Sequence, residues 1–551
     1  MKASDGYDKL RGGYYTPATI SKFIAEWAIR DKSSVVLEPS CGDGSFISAA
    51  LNRFKELGAD SINDSITGVE FDSDEAKKAS AYGVGVIVGD FFTFFKEQIS
   101  GKVKYDVVIG NPPFIRYQNF DETMRKIAFE SMNRYGFHPN KMTNIWIPFL
   151  LLSCKSLNEN GRIGMVIPAE LFQVDYAAEA RCFMSEFFDA LTIVTFKQLV
   201  FSNIQQEVVL LLGEVTSSRK GIRIVELNSL EDIESEWLSC LNRAENKELD
   251  HDTEKWVKYY LSGDELNLLR KLGKDERITS TEQLFTVNVG VVSGENDFFV
   301  VNKDVSEAYG IEKSTLSIVS RSSHVSGILF DGKDMDGLIT AGKRVFLFSP
   351  KESENGIRSD DRKYIEYGES RGFHKNFKCR VRDKWYIVPL SWKPEAFVIR
   401  QANHYPRMIM NYTDAAVTDT LHKVRFNEGI DGREVSAAFI NSYTLALSET
   451  IGRSYGGGVL TFEPGEIRKL RIPLFCADEL DIDKIDDWQR SGSIWSILEY
   501  TDSILLKKGL GLSDMEVEAL RGIWIKMRNR RLDRRKSAKR VLKGGSDQGQ
   551  R

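Results

Sequence analysis

The 551-residue chain carries 75 Lys+Arg against 79 Asp+Glu, a net charge of −4, and is 42% hydrophobic and 28% charged. That length exceeds one ordinary core and points to two to four domains, and the balanced charge means that any nucleic-acid surface must be local rather than global. No apolar run approaches the ~20 residues that span a bilayer, residues 1–10 carry no signal-peptide core, and Cys41, Cys154, Cys182, Cys240, Cys379 and Cys476 form no C-x-x-C pair, which argues against zinc and disulfides and fits a reducing cytoplasm.

Over the first 215 residues, short apolar runs alternate with helical patterns. Strands are expected at 34–38, 65–70, 84–88, 106–109, 162–167, 191–195 and 207–212, and helices at 19–29 and 44–54. An element over 176–188 reads as core-facing. The alternation predicts an α/β, doubly wound, mainly parallel sheet. Polar stretches near 217–220 and 249–254 mark a domain boundary. Beyond it come short β-like pieces at 284–292, 297–301, 343–348, 385–388 and 407–410, then helical texture at 433–449, 466–468 and 494–507. The expected organisation is an α/β domain over 1–245, a mixed α+β domain over 246–515 and a basic C-terminal tail over 516–551. Residues 521–543 hold eleven Lys/Arg and one Asp, the pattern of a helix fraying into a basic tail.

Four motifs carry chemistry. In V-V-L-E-P-S-C-G-D-G-S-F (35–46), a strand meets a loop in which Gly42 and Gly44 permit tight geometry and close ligand approach. Such a turn at the end of a first strand lies where doubly wound sheets bind nucleotides; a plain strand–helix turn is the alternative. In I-T-G-V-E-F-D (66–72), Glu70 ends the next strand, where a carboxylate can accept hydrogen bonds from ribose hydroxyls. In V-G-D-F-F (88–92), Asp90 can accept from an adenine amino group and Phe91 can cover the ring; core packing is the competing reading for the neighbouring phenylalanines. In G-N-P-P-F (110–114), two prolines fix the backbone beyond Asn111. The Asn111 side-chain oxygen and the Pro112 carbonyl are two acceptors for one NH2 group, and Phe114 offers a stacking face. Glu38, Glu70, Asp90 and Asn111 in consecutive units are far more specific than any one motif.

In this order the sequence resembles the gamma-class N6-adenine DNA methyltransferases of bacterial restriction–modification systems, which use S-adenosylmethionine. The matching stretches are G-Y-Y-T-P (13–17), E-P-S-C-G-D-G-S-F (38–46), Glu70, G-D-F (89–91), N-P-P-F (111–114), R-I-G-M-V-I-P-A-E-L-F (162–172) and F-S-N-I-Q-Q-E-V-V-L (201–210). The stretches 287–299, 378–389, 418–422 and 455–473 resemble the target-recognition half of those enzymes. The resemblance implies a Rossmann-like methyltransferase domain followed by a mixed α+β target-recognition domain. It implies cofactor binding by Tyr15, Thr16, Glu38, Ser40, Cys41, Gly42, Glu70, Asp90 and Phe91. Catalysis falls to Asn111, Pro112, Pro113 and Phe114, target-base stacking to Phe114 and Phe201, and no metal is needed. Cys41 stands where Ala is frequent, and Phe114 replaces the commoner Tyr.

The expected reaction is transfer of a methyl group to the N6 amine of a flipped-out adenine, with double-stranded DNA as partner and room for a separately encoded restriction endonuclease. Methylation of RNA adenine or of protein glutamine is an alternative, though the release-factor enzymes that share the motif are much shorter. A bifunctional restriction–modification enzyme is another; the chain begins almost directly with the cofactor segment and shows no persuasive P-D…[D/E]-x-K arrangement. A non-catalytic DNA-binding subunit is a third, opposed by the intact motifs. Residues 357–410, with twelve Lys/Arg against six Asp/Glu and interleaved aromatics, are the expected DNA-contacting patch, against the alternative of a solvated surface over an aromatic core.

Overall fold

The computed structural model describes residues 16–59, 62–102, 104–198, 207–351, 356–390, 392–454 and 458–544. Tyr15 and Phe201 lie outside the described residues. The chain divides into two compact units, Met1–Gly263 with Asp533–Arg551, and Asp264–Leu532.

In the first unit, helices α1 (Ala18–Ala28), α2 (Ser45–Glu56), α3 (Ser73–Ser80), α4 (Phe91–Phe94), α5 (Glu122–Arg134), α6 (Trp146–Lys155) and α7 (Ala178–Phe187) alternate with strands β1 (Val36–Glu38), β2 (Ile66–Glu70), β3 (Gly85–Val88), β4 (Tyr105–Gly110), β5 (Leu157–Pro168), β6 (Ala190–Phe196), β7 (Val208–Glu214) and β8 (Gly221–Leu227). The strands form one sheet in the order β3-β2-β1-β4-β5-β7-β6-β8. All neighbours are parallel except β7, which runs antiparallel between β5 and β6. This is the Rossmann-like arrangement, with its order reversing between β1 and β4, where a crevice opens beyond the strand ends.

Helical spacing explains the packing. Ile20, Phe23, Ile24 and Ala28 bury one stripe of α1, and Phe46, Ile47, Ala50 and Phe54 one stripe of α2. Both stripes join Val107, Ile109, Val166 and Leu210 of the sheet in one core. The approach of α1 is close: a Cβ on Gly164 of β5 would lie 2.5 Å from Ile24 Cγ2. The seven strands expected from the sequence all form, within a few residues of their expected ends. Strand β8 was not expected. The polar stretch at 217–220 is the turn that feeds β8 and lies inside the first compact unit, and its Ser217 N–H bonds the carboxylate of Asp189, the residue before β6.

The second unit is mixed α and β. A five-stranded sheet is ordered Phe285–Val289, Leu421–Phe426, Ala396–Ile399, Met408–Asn411, Leu329–Phe330, and a four-stranded sheet is built around Phe346–Phe348. Two expected strands correct here. Residues 297–299 belong to a helical turn, Asn296–Phe299, because the Glu295 side chain accepts from Asp297 N and caps it. Residues 385–388 form no strand, since the Trp385 indole turns into an aromatic cluster and its Nε1 donates to Glu369 at 3.1 Å. The segment expected as a fraying helix and basic tail from residue 516 runs through a 31-residue helix, Asp514–Gly544, that spans all of 521–543. Its Leu520, Ile523, Trp524 and Met527 are buried. Arg531 is buried too. It bonds both Glu449 carboxylate oxygens, at 2.8 and 2.9 Å, and the carbonyls of Asn403 and Gly458. The apolar stripe, not the charge count, decides the fate of this stretch.

Candidate active site

The ends of β1, β2, β3 and β4 open on one cavity of about 410 Å3, within the usual range for small-ligand pockets. Glu38, Ser40, Cys41 and Gly42 reach it from the loop after β1, Glu70 from β2, Asp90 and Phe91 from the end of β3, and Asn111 and Pro113 from the end of β4; Thr16 closes a further side. Thus every expected cofactor residue within the described chain meets Asn111 around one space. Pro112 is buried and Phe114 half-buried. Neither lines the cavity; Phe114 packs instead against the core formed by α1, α2 and the sheet.

The loop after β1 owes its shape to two glycines. Gly42 has φ +52° with open space where a Cβ would stand; Gly44 has φ +91°, and a Cβ there would lie 2.9 Å from the Tyr82 ring and 3.1 Å from Ala79 Cα. Gly44 N donates to Cys41 O at 2.8 Å, which closes the turn, and α2 begins at Ser45. Gly42 N donates to Glu70 Oε2 at 2.8 Å, and Asp72 N to Glu70 Oε1 at 2.8 Å. Both Glu70 carboxylate oxygens are thus tied to backbone N–H groups, which fixes the side chain in the cavity wall.

Glu38 is 2% exposed, and its Oε2 meets no hydrogen-bond donor. Burial, reinforced by the Glu70 and Asp43 carboxylates, holds its carboxyl well above the ordinary range. Burial and the charges of Glu38 and Glu70 likewise push the Cys41 thiol up, which keeps it protonated and inert. Asp90 lines the cavity and caps α4 by accepting from Thr93 N at 2.9 Å. Phe91 stacks on Phe149 of α6, centroids 5.2 Å apart and 17° from parallel. The neighbouring Phe94 and Phe95 are buried away from the cavity.

At the β4 end, Asn111 Nδ2 donates to Thr16 Oγ1 at 3.1 Å, and Ser40 Oγ to the Asn111 carbonyl at 3.3 Å. With its nitrogen committed to Thr16, the amide presents Oδ1 as its acceptor end. Ile145 N donates to Ile115 O at 3.1 Å, which ties the start of α6 to the segment after the two prolines.

Several lining residues were not expected. Phe71 follows Glu70 at the end of β2, lines the cavity and is 68% exposed; its place beside a strand-end acid was a readable signal. Ile145, Phe149 and Met124 also line it. Phe149 sits in the all-apolar stretch of α6, where no pattern separates a lining residue from core. Among the described residues no helix is long and apolar enough to cross a membrane.

Residues 3–291 match the family model for the N-6 DNA Methylase, and residues 253–506 that for the C-terminal domain of the Type II methyltransferase M.Eco57I. The Type II methyltransferase M.AccI of Acinetobacter calcoaceticus is 24% identical over 498 residues, 86% of this chain and 87% of that one. The Type II methyltransferase M.XamI of Xanthomonas campestris pv. amaranthicola is 20% identical over 480 residues, 84% and 85% of the two chains. Among solved structures, the Type IIL restriction-modification enzyme MmeI in complex with DNA shares the fold, with a TM-score of 0.57 and 10% identity over 91% of this chain and 73% of that one.

Proposed function

The chain belongs to the N-6 DNA Methylase family, and from that premise we propose how its residues perform methyl transfer. It is an adenine-specific DNA methyltransferase of the restriction–modification kind. The cavity at the strand ends is the seat of S-adenosylmethionine, and Asn111 with Pro112 is the clamp for the adenine amine.

The donor set fits that cofactor. Glu38 offers a buried oxygen without a donor, suited to the ammonium of the methionine part. Glu70, already shaped by two backbone N–H groups, accepts the ribose hydroxyls. Asp90 accepts from the adenine amino group, with Phe91 and the exposed Phe71 beside the ring. S-adenosylmethionine would supply a methyl group already activated by its sulfonium, so no strong base or covalent enzyme intermediate is required, and the methylated nitrogen then releases its extra proton to solvent.

The target amine is a poor nucleophile because its lone pair is delocalised into the ring. Asn111 Oδ1 and the Pro112 carbonyl accept its two hydrogens and turn the lone pair toward the methyl, which is positioning plus electrostatic preorganisation. As the nitrogen gains positive charge, the two acceptors bind it more strongly than in the ground state. Thr16 holds the Asn111 amide in the required orientation through the 3.1 Å hydrogen bond. Phe114 is assigned to stack on the extruded base, which offsets part of the few kcal/mol that flipping costs.

The second unit is assigned to target recognition, on the match of residues 253–506 to the C-terminal domain of a Type II methyltransferase. A separately encoded restriction endonuclease is the proposed companion. The observation that carries the reading is the convergence of Glu38, Glu70, Asp90 and Asn111 on one cavity. Calorimetric titration with S-adenosylmethionine tests it: binding should be abolished by Glu70→Ala and kept by Asn111→Ala. Unchanged affinity in Glu70→Ala removes the cofactor from this cavity.

A further inference from the structure

The basic interval at 357–410 sorts its aromatic rings into two kinds. Tyr364 (1% exposed), Phe373, Trp385 and Tyr386 gather around Phe298 and Phe299; Phe298 stacks on Tyr364 at 4.7 Å and tilts against Trp385 at 4.8 Å. Phe377 stays outside. It is 65% exposed, and Val381, four residues on and so on the same side of a helical turn, is 62% exposed.

The turn that carries them, Phe377–Arg380, is firmly held. Cys379 is buried beneath it. Asn376 Nδ2 donates to Glu295 Oε2 at 2.6 Å, and Arg382 donates to Val292 O at 2.8 Å. Gly294 passes so near that a Cβ there would lie 2.7 Å from Lys378 Cβ. Between residues 371 and 384 there are six Lys/Arg and one Asp. Lys375, Lys378, Arg380 and Lys384 are exposed. Among the described residues the Phe377 ring meets only the Lys378 ammonium, 5.9 Å from its centroid, and two large apolar side chains so exposed on a basic turn mark a binding surface. The surrounding charge selects a polyanion. An apolar tip that parts a base step, with cations on the flanking phosphates, is a known way for proteins to deform a duplex.

Resting on the reading of the chain as a DNA methyltransferase, we propose that Phe377, with Val381 beside it, is an apolar wedge that enters the base stack of bound duplex DNA, while Lys375, Lys378 and Arg380 hold the adjoining phosphates. The test binds the full-length protein to duplexes that carry the recognition sequence with 2-aminopurine at one position at a time. Wild type should raise fluorescence at the target adenine and at one further, unstacked step. Phe377→Ala should lose the second signal and bind about tenfold more weakly, the effect of one lost stacking contact. Phe377→Leu, which keeps the bulk, should restore both. Lys375→Ala should keep both signals and lower the salt dependence of binding by about one unit of slope. A side chain this exposed can be truncated without disturbing the fold. If every 2-aminopurine signal is the same in wild type and Phe377→Ala, the wedge is refuted. If wild type itself neither binds nor methylates any duplex, the failure lies in the methyltransferase reading instead.

Discussion

Alanine at Gly42 and at Gly44 should damage the protein in opposite ways. Both residues have positive φ, so an alanine pays the left-handed penalty of about 1–2 kcal/mol at either site. At Gly42 that is the whole stability effect, because nothing lies within 4 Å of the added Cβ. At Gly44 the Cβ also meets the Tyr82 ring at 2.9 Å and Ala79 Cα at 3.1 Å, an overpacking of about 1–3 kcal/mol. The expected losses are therefore about 1–2 kcal/mol for Gly42→Ala and about 2–5 kcal/mol for Gly44→Ala. Cofactor affinity should rank the other way. Gly42 lines the cavity and its N–H shapes Glu70, whereas Gly44 does neither. Denaturant unfolding measures the first ranking and calorimetric titration with S-adenosylmethionine, below the unfolding transition, the second. Equal stability losses, or a Gly44→Ala variant that is the milder of the two, would refute the packing at α2. A Gly42→Ala variant with wild-type affinity would refute the cradle.

Glu38 makes stability depend on pH. Its folded-state carboxyl holds the proton well above the ordinary carboxylate range. The folded chain therefore binds that proton more tightly than the unfolded chain. Stability is greatest below the ordinary carboxylate pKa and falls as pH rises from there toward the raised value. Melting temperatures of wild type and Glu38→Gln across this window should converge at low pH and separate above it, with the glutamine variant the more stable; parallel curves would contradict the assignment. Arg531→Ala strands the buried Glu449 carboxylate and should cost about 3–5 kcal/mol, whereas Arg528→Ala, which loses a ring contact to Trp524 and exposed hydrogen bonds to the neighbouring Asn529 Oδ1, should cost less than about 1 kcal/mol; similar losses in chemical denaturation would contradict the buried role of Arg531. Phe71→Ala should weaken S-adenosylmethionine binding about tenfold at unchanged stability, as expected for one lost face of an aromatic ligand, and a wild-type dissociation constant would remove it from the site.

The sheet was legible because each of the strands β1 to β7 announces itself as an apolar run closed by a turn residue. Glu38, Glu70, Asp90 and Asn111 could be read as a set because parallel strands bring their C-terminal ends to one edge, so order along the chain becomes adjacency in space. What failed to show was lateral. Phe149 faces the cavity from a helix apolar on all sides, and no local pattern singles it out. Strand β8 hid behind the polar turn at 217–220, which has the composition of a linker but serves a tight connection. Trp385 to Val388 look like a strand by β propensity, yet the indole is drawn inward by Phe298. The basic C-terminal run read as a helix fraying into a tail, because charge outnumbers apolar residues; the helix was legible, but not that Leu520, Ile523 and Trp524 at helical spacing bury one face of it.

The most direct test is single-molecule sequencing of DNA from a methylation-deficient bacterial host that expresses either wild type or Asn111→Ala. Wild type should leave modified adenines within one short motif, and Asn111→Ala, folded and still binding S-adenosylmethionine, should leave none. Modified adenines at wild-type frequency in the Asn111→Ala host would contradict the clamp, and an unmodified genome in the wild-type host would contradict methylation of duplex DNA by this chain acting alone.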